Sequence, residues 1–246
     1  MLYLPPCCLQ AAQWHDAVLP QAQETYIVST NTGSAYRIQI ARFGMQPPEG
    51  YPVLYILDGD ACFPTAILMA HQAMNLPDGQ NHTPVLPVGI GYPSGKFFDL
   101  PRRAADYTPP FAASAQQQVV TGGAEAFARF IDEELKQVVG RSVAVNPEQE
   151  ALFGHSFGGL FGIYSLLTRP ERFRHYFISS PSIWWQNRRV LDFAGTFRMP
   201  DPVLHISLSG AGRCRPENPA KGNGGQPRTI CGLCGNAPDS CYAEHL

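Results

Sequence analysis

No stretch of the 246-residue sequence approaches the ~20 uninterrupted apolar residues that a membrane-spanning helix needs, so no helical membrane span is expected. The N-terminus, Met1-Leu2-Tyr3-Leu4-Pro5-Pro6-Cys7-Cys8, lacks a basic n-region, and Pro5-Pro6 interrupts its short apolar run. A secretory signal is therefore not expected; the cytoplasm is the default compartment and the periplasm the other candidate. Charge of either sign is scarce. Charged residues make up 15% of the chain and the formal net charge is -2, which gives no electrostatic case for nucleic acid or an anionic membrane as partner. Cysteine falls short of a framework, since the seven present are an odd number in a chain without a recognised signal. Four of them, Cys214, Cys231, Cys234 and Cys241, crowd the C-terminal stretch, but only Cys231-Gly232-Leu233-Cys234 has ligand-like spacing, so neither a zinc site nor any other cofactor is expected.

What is present reads as one globular domain of ordinary composition, 44% apolar and long enough for a full-sized core. Residues 25–29 and 36–40 alternate apolar and polar around Asn31-Thr32-Gly33-Ser34, the pattern of a half-buried antiparallel hairpin. Residues 52–57 are continuously apolar, as a strand covered on both faces should be, and a helix is expected over 63–74. Residues 85–92 form a further buried strand, although Pro87 suits an edge or a bulge better than a central position. Between 93 and 123 no strong periodicity appears, and a long loop is expected. An amphipathic helix follows over 123–139, with Phe127, Phe130, Ile131, Leu135 and Val138 at helical spacing. Further strands are expected at 176–180 and 203–208. Strands alternating with helices after an opening hairpin predict an α/β sandwich with a mostly parallel sheet. Residues 1–23 read as an irregular lead-in, 24–212 as the domain, and 213–246, rich in Gly, Pro, Asn and Cys, as an irregular tail.

The chemistry centres on Ala151-Leu152-Phe153-Gly154-His155-Ser156-Phe157-Gly158-Gly159. A short apolar run meets G-x-S-x-G and continues into a second apolar stretch, the pattern of a nucleophile elbow in which a strained turn joins strand to helix and presents the serine. The other reading is a glycine-rich turn with an incidental serine. His155 sits inside the elbow, where its side chain leaves in the opposite direction from that of Ser156.

Five motifs occur in one order: Tyr55-Ile56-Leu57-Asp58-Gly59-Asp60; Arg103 with Asp106-Tyr107-Thr108-Pro109; Gly122-Gly123-Ala124-Glu125-Ala126-Phe127; Gly154-His155-Ser156-Phe157-Gly158-Gly159; and Ser180-Pro181-Ser182-Ile183-Trp184-Trp185. From about Tyr26 to about Gly210 the chain resembles the esterase family of α/β-hydrolases, and within it the siderophore-esterase branch that opens enterobactin- or salmochelin-type trilactones. The resemblance implies an α/β-hydrolase sandwich acting on a small-molecule ester, with Ser156 as nucleophile. It also implies an oxyanion hole made by the backbone N–H of Phe157 and a second N–H after the Asp58-Gly59 turn, placed at Asp60. Asp58-Gly59-Asp60 also fits a plain turn capping a helix. Arg103 would orient an anionic or catecholate substrate, with Trp184 and Trp185 as aromatic walls. A surface salt bridge for Arg103 and core packing for a tryptophan are the competing readings.

In the family the acid and then the histidine follow the serine. Here Leu208 is followed by Ser209-Gly210-Ala211-Gly212, without a carboxylate, and the expected last strand and histidine loop are replaced by the Cys/Gly/Pro-rich tail. A reading frame lost near Gly212 would explain this, as sequencing the locus would test. His245 is the candidate base left in the tail. The expected alternative to an active esterase is thus an inactive, truncated remnant, and an unpaired sheet edge would favour self-association.

Overall fold

The computed structural model describes residues 21–75, 83–111 and 120–197, together with the backbone of 205–209. The opening alternation forms the expected hairpin, β1 (Gln23–Val28) and β2 (Ala35–Ile40), paired antiparallel. Its turn is tied down from outside: the backbone N–H groups of Thr30 and Asn31 both donate to the Glu134 carboxylate at 3.0 Å. β3 (Tyr51–Leu57) leads into α1 (Gly59–Met74), and β4 (Leu86–Gly91) follows. α2 (Leu100–Tyr107) and α3 (Ala124–Arg129) come next, then a π-helical turn (Phe130–Leu135) and α4 (Lys136–Ser142). β5 (Val145–His155), α5 (Phe157–Thr168), β6 (His175–Ser179) and β7 (His205–Ser209) complete the described elements, apart from short 3-10 turns.

The described strands form one seven-stranded sheet in the order β1-β2-β4-β3-β5-β6-β7. β2 pairs antiparallel with β4, and every pairing from β4 across to β7 is parallel. This is the mostly parallel α/β sandwich with an N-terminal antiparallel hairpin that the sequence predicts. The order reverses at β3, since the chain leaves β3 toward β4 on one side and later returns to β5 on the other. The crevice at the carboxyl ends of β3 and β5 is where such sheets place their ligands.

Two expectations are corrected. Within the stretch expected to be loop, residues 100–107 are the helix α2. Eight residues are too few to show a repeating pattern, but Pro101 in the first turn and Asp99, whose side chain accepts the Arg102 N–H at 3.3 Å, are start signals. Pro87 lies in β4, a central strand and not an edge. Its carbonyl accepts the Ala41 N–H at 3.3 Å and its missing N–H costs one bond there, where the β2–β4 ladder gives way to the single Phe43–Val85 bridge, whose two N–H groups each donate at 3.1 Å.

The larger core lies between the sheet and α2–α5. Tyr36 stacks on Phe130 with ring centroids 4.2 Å apart, and Phe127 meets Phe161 edge-on at 5.1 Å. On the opposite face α1 presses Phe63 and Ile67 onto Ile56 and Phe43. Beside it Met69, Phe153 and Phe177 line an open apolar groove of about 760 Å3. Residues 1–20 of the lead-in and the tail at 213–246, with its cysteines and His245, lie outside the described residues.

Candidate active site

β5 runs up the middle of the sheet and ends at His155; α5 starts at Phe157. Ser156, between them, has φ 57° and ψ -114°, a region that a residue with a side chain enters only at a cost of about 1–3 kcal/mol. The flanking glycines allow the chain to close this tightly. A Cβ on Gly154 would stand 2.3 Å from the Gly158 carbonyl oxygen, a backbone atom that cannot move aside. The elbow geometry foreseen from G-x-S-x-G is therefore present, with the serine half-exposed at the end of the strand.

Across the crevice the β3–α1 turn carries a second non-glycine residue in the left-handed region, Asp58, with φ 52° and ψ 51°. Its N–H donates to the Tyr107 phenol oxygen at 3.1 Å, and its buried carboxylate takes two hydrogen bonds from Arg103, at 3.0 and 2.8 Å. Burial pushes the Asp58 carboxyl upward in pKa, and Arg103 acts in the opposite direction. The same guanidinium donates to the His155 carbonyl at 3.4 Å and lies over the rings of Phe98, Phe157 and Tyr107 at 5.2, 5.6 and 5.9 Å. The two strained turns are thus linked through one arginine. They are also in contact: the position of a Cβ on Gly158 is 3.3 Å from Leu57 Cβ and 3.6 Å from Asp58 Oδ2.

Both turns open into helices. Phe157 and Gly158 begin α5, and Gly59 and Asp60 begin α1, so their N–H groups have no intrahelical acceptor. The side chain of Asp60 is directed elsewhere, accepting the Tyr92 N–H at 3.0 Å and pairing with Arg37. Of the aromatic walls expected, Trp184 is 70% exposed and 6.1 Å from the Phe157 ring. Trp185 is buried in the main core and meets Phe111 edge-on at 5.1 Å, which is the core-packing reading. Arg103 forms neither a surface salt bridge nor an open cation, because its ion pair is buried with Asp58.

The hydroxyl of Ser156 has one hydrogen-bond partner among the described residues, the Ser182 hydroxyl at 3.1 Å. Ser182 belongs to the motif Ser180-Pro181-Ser182-Ile183-Trp184-Trp185, but no residue pattern there marks its contact with Ser156; the left-handed turn at Ser180 (φ 42°) that brings it in is visible only in the structure. His175 pairs in register with Ala151, toward the opposite end of the sheet from Ser156, and His71 is in the last turn of α1. Among the described residues no group of three or more His, Cys, Asp or Glu side chains is arranged to hold a metal ion.

Residues 29–215 match the family described as "Putative esterase". The chain is 35% identical over 181 residues to the ferri-bacillibactin esterase BesA of Bacillus subtilis, an overlap spanning 70% of this chain and 62% of that protein. It is 36% identical over 200 residues to the siderophore triacetylfusarinine C esterase of Aspergillus fumigatus, spanning 76% of this chain and 64% of the relative. The chain thus covers less than two thirds of the length of either protein. Among solved structures it superposes on the BES protein of Bacillus cereus with a TM-score of 0.70 at 34% identity, covering 76% of this chain and 71% of the other. The enterobactin and salmochelin hydrolase IroE superposes with a TM-score of 0.59 at 27% identity, covering 76% and 72%. With the elbow, the sheet order and these likenesses in agreement, the chain belongs to this esterase family of α/β-hydrolases, on the branch that holds the siderophore esterases.

Proposed function

We propose that the chain is a serine carboxylic-ester hydrolase that opens siderophore lactone or ester bonds through an acyl-enzyme on Ser156. The observation that carries this reading is the strained Ser156 at the carboxyl end of β5, heading α5 and facing the β3–α1 turn across the crevice. The siderophore esters handled by the named relatives support the substrate class.

In this reading Ser156 Oγ attacks the ester carbonyl carbon, its proton passes to an imidazole, and the carbonyl electron pair moves onto oxygen. The N–H groups of Phe157 and Asp60 receive that oxyanion, and the positive ends of α5 and α1 favour it. Collapse expels the alcohol, which takes the proton back, and water then releases the acid by the same route. His245 is the candidate imidazole. Trp184 offers an aromatic wall beside the elbow, while Arg103 holds the site together through Asp58.

The intact chain should hydrolyse p-nitrophenyl butyrate, and a fluorophosphonate probe should label Ser156. Ser156→Ala should abolish both, and His245→Ala should slow both. Equal residual hydrolysis by wild type and Ser156→Ala would overturn the reading. A second reading, a relative that binds esters without turning them over, is favoured by the sequence after Leu208, where Ser209-Gly210-Ala211-Gly212 supplies no carboxylate for the expected acid. It predicts siderophore binding without labelling. Self-association through the β7 edge of the sheet is a further part of the proposal; a monodisperse monomer by light scattering would exclude it.

A further inference from the structure

The loop that follows β6 is built around the nucleophile. Ser156 N–H donates to the Ser179 carbonyl at 3.0 Å, and Ser182 N–H donates to the Ser156 carbonyl at 3.1 Å. Between these two bonds Ser180 turns the chain through the left-handed region, with φ 42°. That turn lays Pro181 over the start of α5, so closely that a Cβ on Gly159 would meet Pro181 Cα at 3.0 Å. The third glycine of Gly154-His155-Ser156-Phe157-Gly158-Gly159 thus makes room for this loop. Ser182 ends up 4% exposed, with its hydroxyl 3.1 Å from Ser156 Oγ and with no other hydroxyl contact among the described residues. A buried hydroxyl requires a partner, and here the partner is the nucleophile.

We propose that Ser182 is a positioning residue for Ser156, an inference that rests on the esterase reading above. Each hydroxyl has one proton. For Ser156 to act, its proton must point to the base, so Ser182 is the donor in the pair and Ser156 Oγ the acceptor. This selects one side-chain rotamer for Ser156 and holds its hydroxyl toward the crevice. It also places a donor against the oxygen that gains negative charge as its proton leaves, where the hydrogen bond strengthens. Ser182 keeps its own proton throughout; the Ser156 proton goes to the base, and the new bond is Oγ to the acyl carbon.

The test uses the full chain and its Ser182→Ala and Ser182→Thr variants. Ser182→Ala should lower kcat for p-nitrophenyl butyrate and the rate of fluorophosphonate labelling about ten- to hundred-fold, the scale of one hydrogen bond to a charged group, with KM unchanged. Ser182→Thr, which keeps the hydroxyl, should recover most of the loss, and a purely structural serine would not show that pattern. Unchanged kcat and labelling in Ser182→Ala, or a rise in KM alone, would overturn the proposal. Absence of turnover and labelling in wild type would count against the esterase reading instead. Crystal structures of wild type and Ser182→Ala then decide the role of Ser182: a changed Ser156 rotamer in the variant supports it, and an identical one overturns it.

Discussion

Arg103 and Asp58 form a two-pronged ion pair, Nε to Oδ1 at 3.0 Å and Nη2 to Oδ2 at 2.8 Å, with both side chains buried. Because Nη2 also reaches the His155 carbonyl, this pair joins α2 to both strained turns of the crevice. Removing the cation would leave a buried carboxylate without compensation, a change that costs about 3–5 kcal/mol. Arg103→Leu should therefore lower the free energy of unfolding by that order in urea titration. Asp58→Asn/Arg103→Leu should be less destabilised than the sum of the single variants, as asparagine tolerates the left-handed backbone. Strict additivity would show that the pair is not coupled.

Alanine substitutions separate the elbow from ordinary glycine positions. Gly154→Ala places a methyl group 2.3 Å from a backbone oxygen and should destabilise by at least about 1–3 kcal/mol, with loss of Ser156 labelling. Gly195→Ala meets nothing within 4 Å and should stay within about 0.5 kcal/mol of wild type. Thermal melts and probe labelling of both variants provide the comparison.

A second charge network, around buried Glu150, lies toward the other end of the strands from the crevice. The Lys136 ammonium is 2.7 Å from buried Glu150 and donates to the Arg172 carbonyl at 2.9 Å, while the Tyr55 phenol donates to the same glutamate at 3.1 Å. Lys136→Met should cost about 3–5 kcal/mol, and adding Glu150→Gln should recover part of it. A Lys136→Met protein as stable as wild type in urea would contradict this.

Asp106 supplies a pH dependence. Burial pushes its carboxyl up to about 6, against the pull of Arg102, whose guanidinium is 3.5 Å away; the hydroxyls of Tyr36 and Tyr92 also face it. The folded protein thus holds this proton more tightly than the unfolded chain, whose aspartates titrate near ~3.9. The resulting contribution to stability is complete below about pH 4 and is lost as pH rises through about 6. Asp106→Asn should accordingly raise Tm at pH 7.5 more than at pH 4. A shift of equal size at both would show that burial does not control the group.

The sheet and the elbow were legible because each has a local cause: alternation at β1 and β2, an unbroken apolar run at β3 and a short one at Ala151-Leu152-Phe153 in β5, and small residues at fixed offsets around Ser156. α2 was not, since eight residues give little periodicity and its apolar face shows only once Tyr107 is seen against Phe127 and Phe161. The site was half legible. Ser156, Phe157 and the Asp58-Gly59-Asp60 turn follow from motif and chain order. The commitment of Arg103 to Asp58 depends on residues 45 positions apart, and that of Ser182 to Ser156 on 26, separations at which a single sequence records no contact. The backbone strain at Ser180, and at Gln186 and Arg188, all with positive φ, likewise leaves no trace in residue type.

The π-helical turn at Phe130–Leu135 turns a packing detail into a genetic constraint. A π turn holds one residue more than the α-helix it interrupts. Glu134, inside it, holds the β1–β2 turn, and Lys136, just beyond it, holds Glu150 of β5. The number of codons in this segment, and not only their identity, therefore sets whether both grips can close at once. A one-codon deletion there would swing everything after it by about a quarter turn or more and release one end of the sheet from the other.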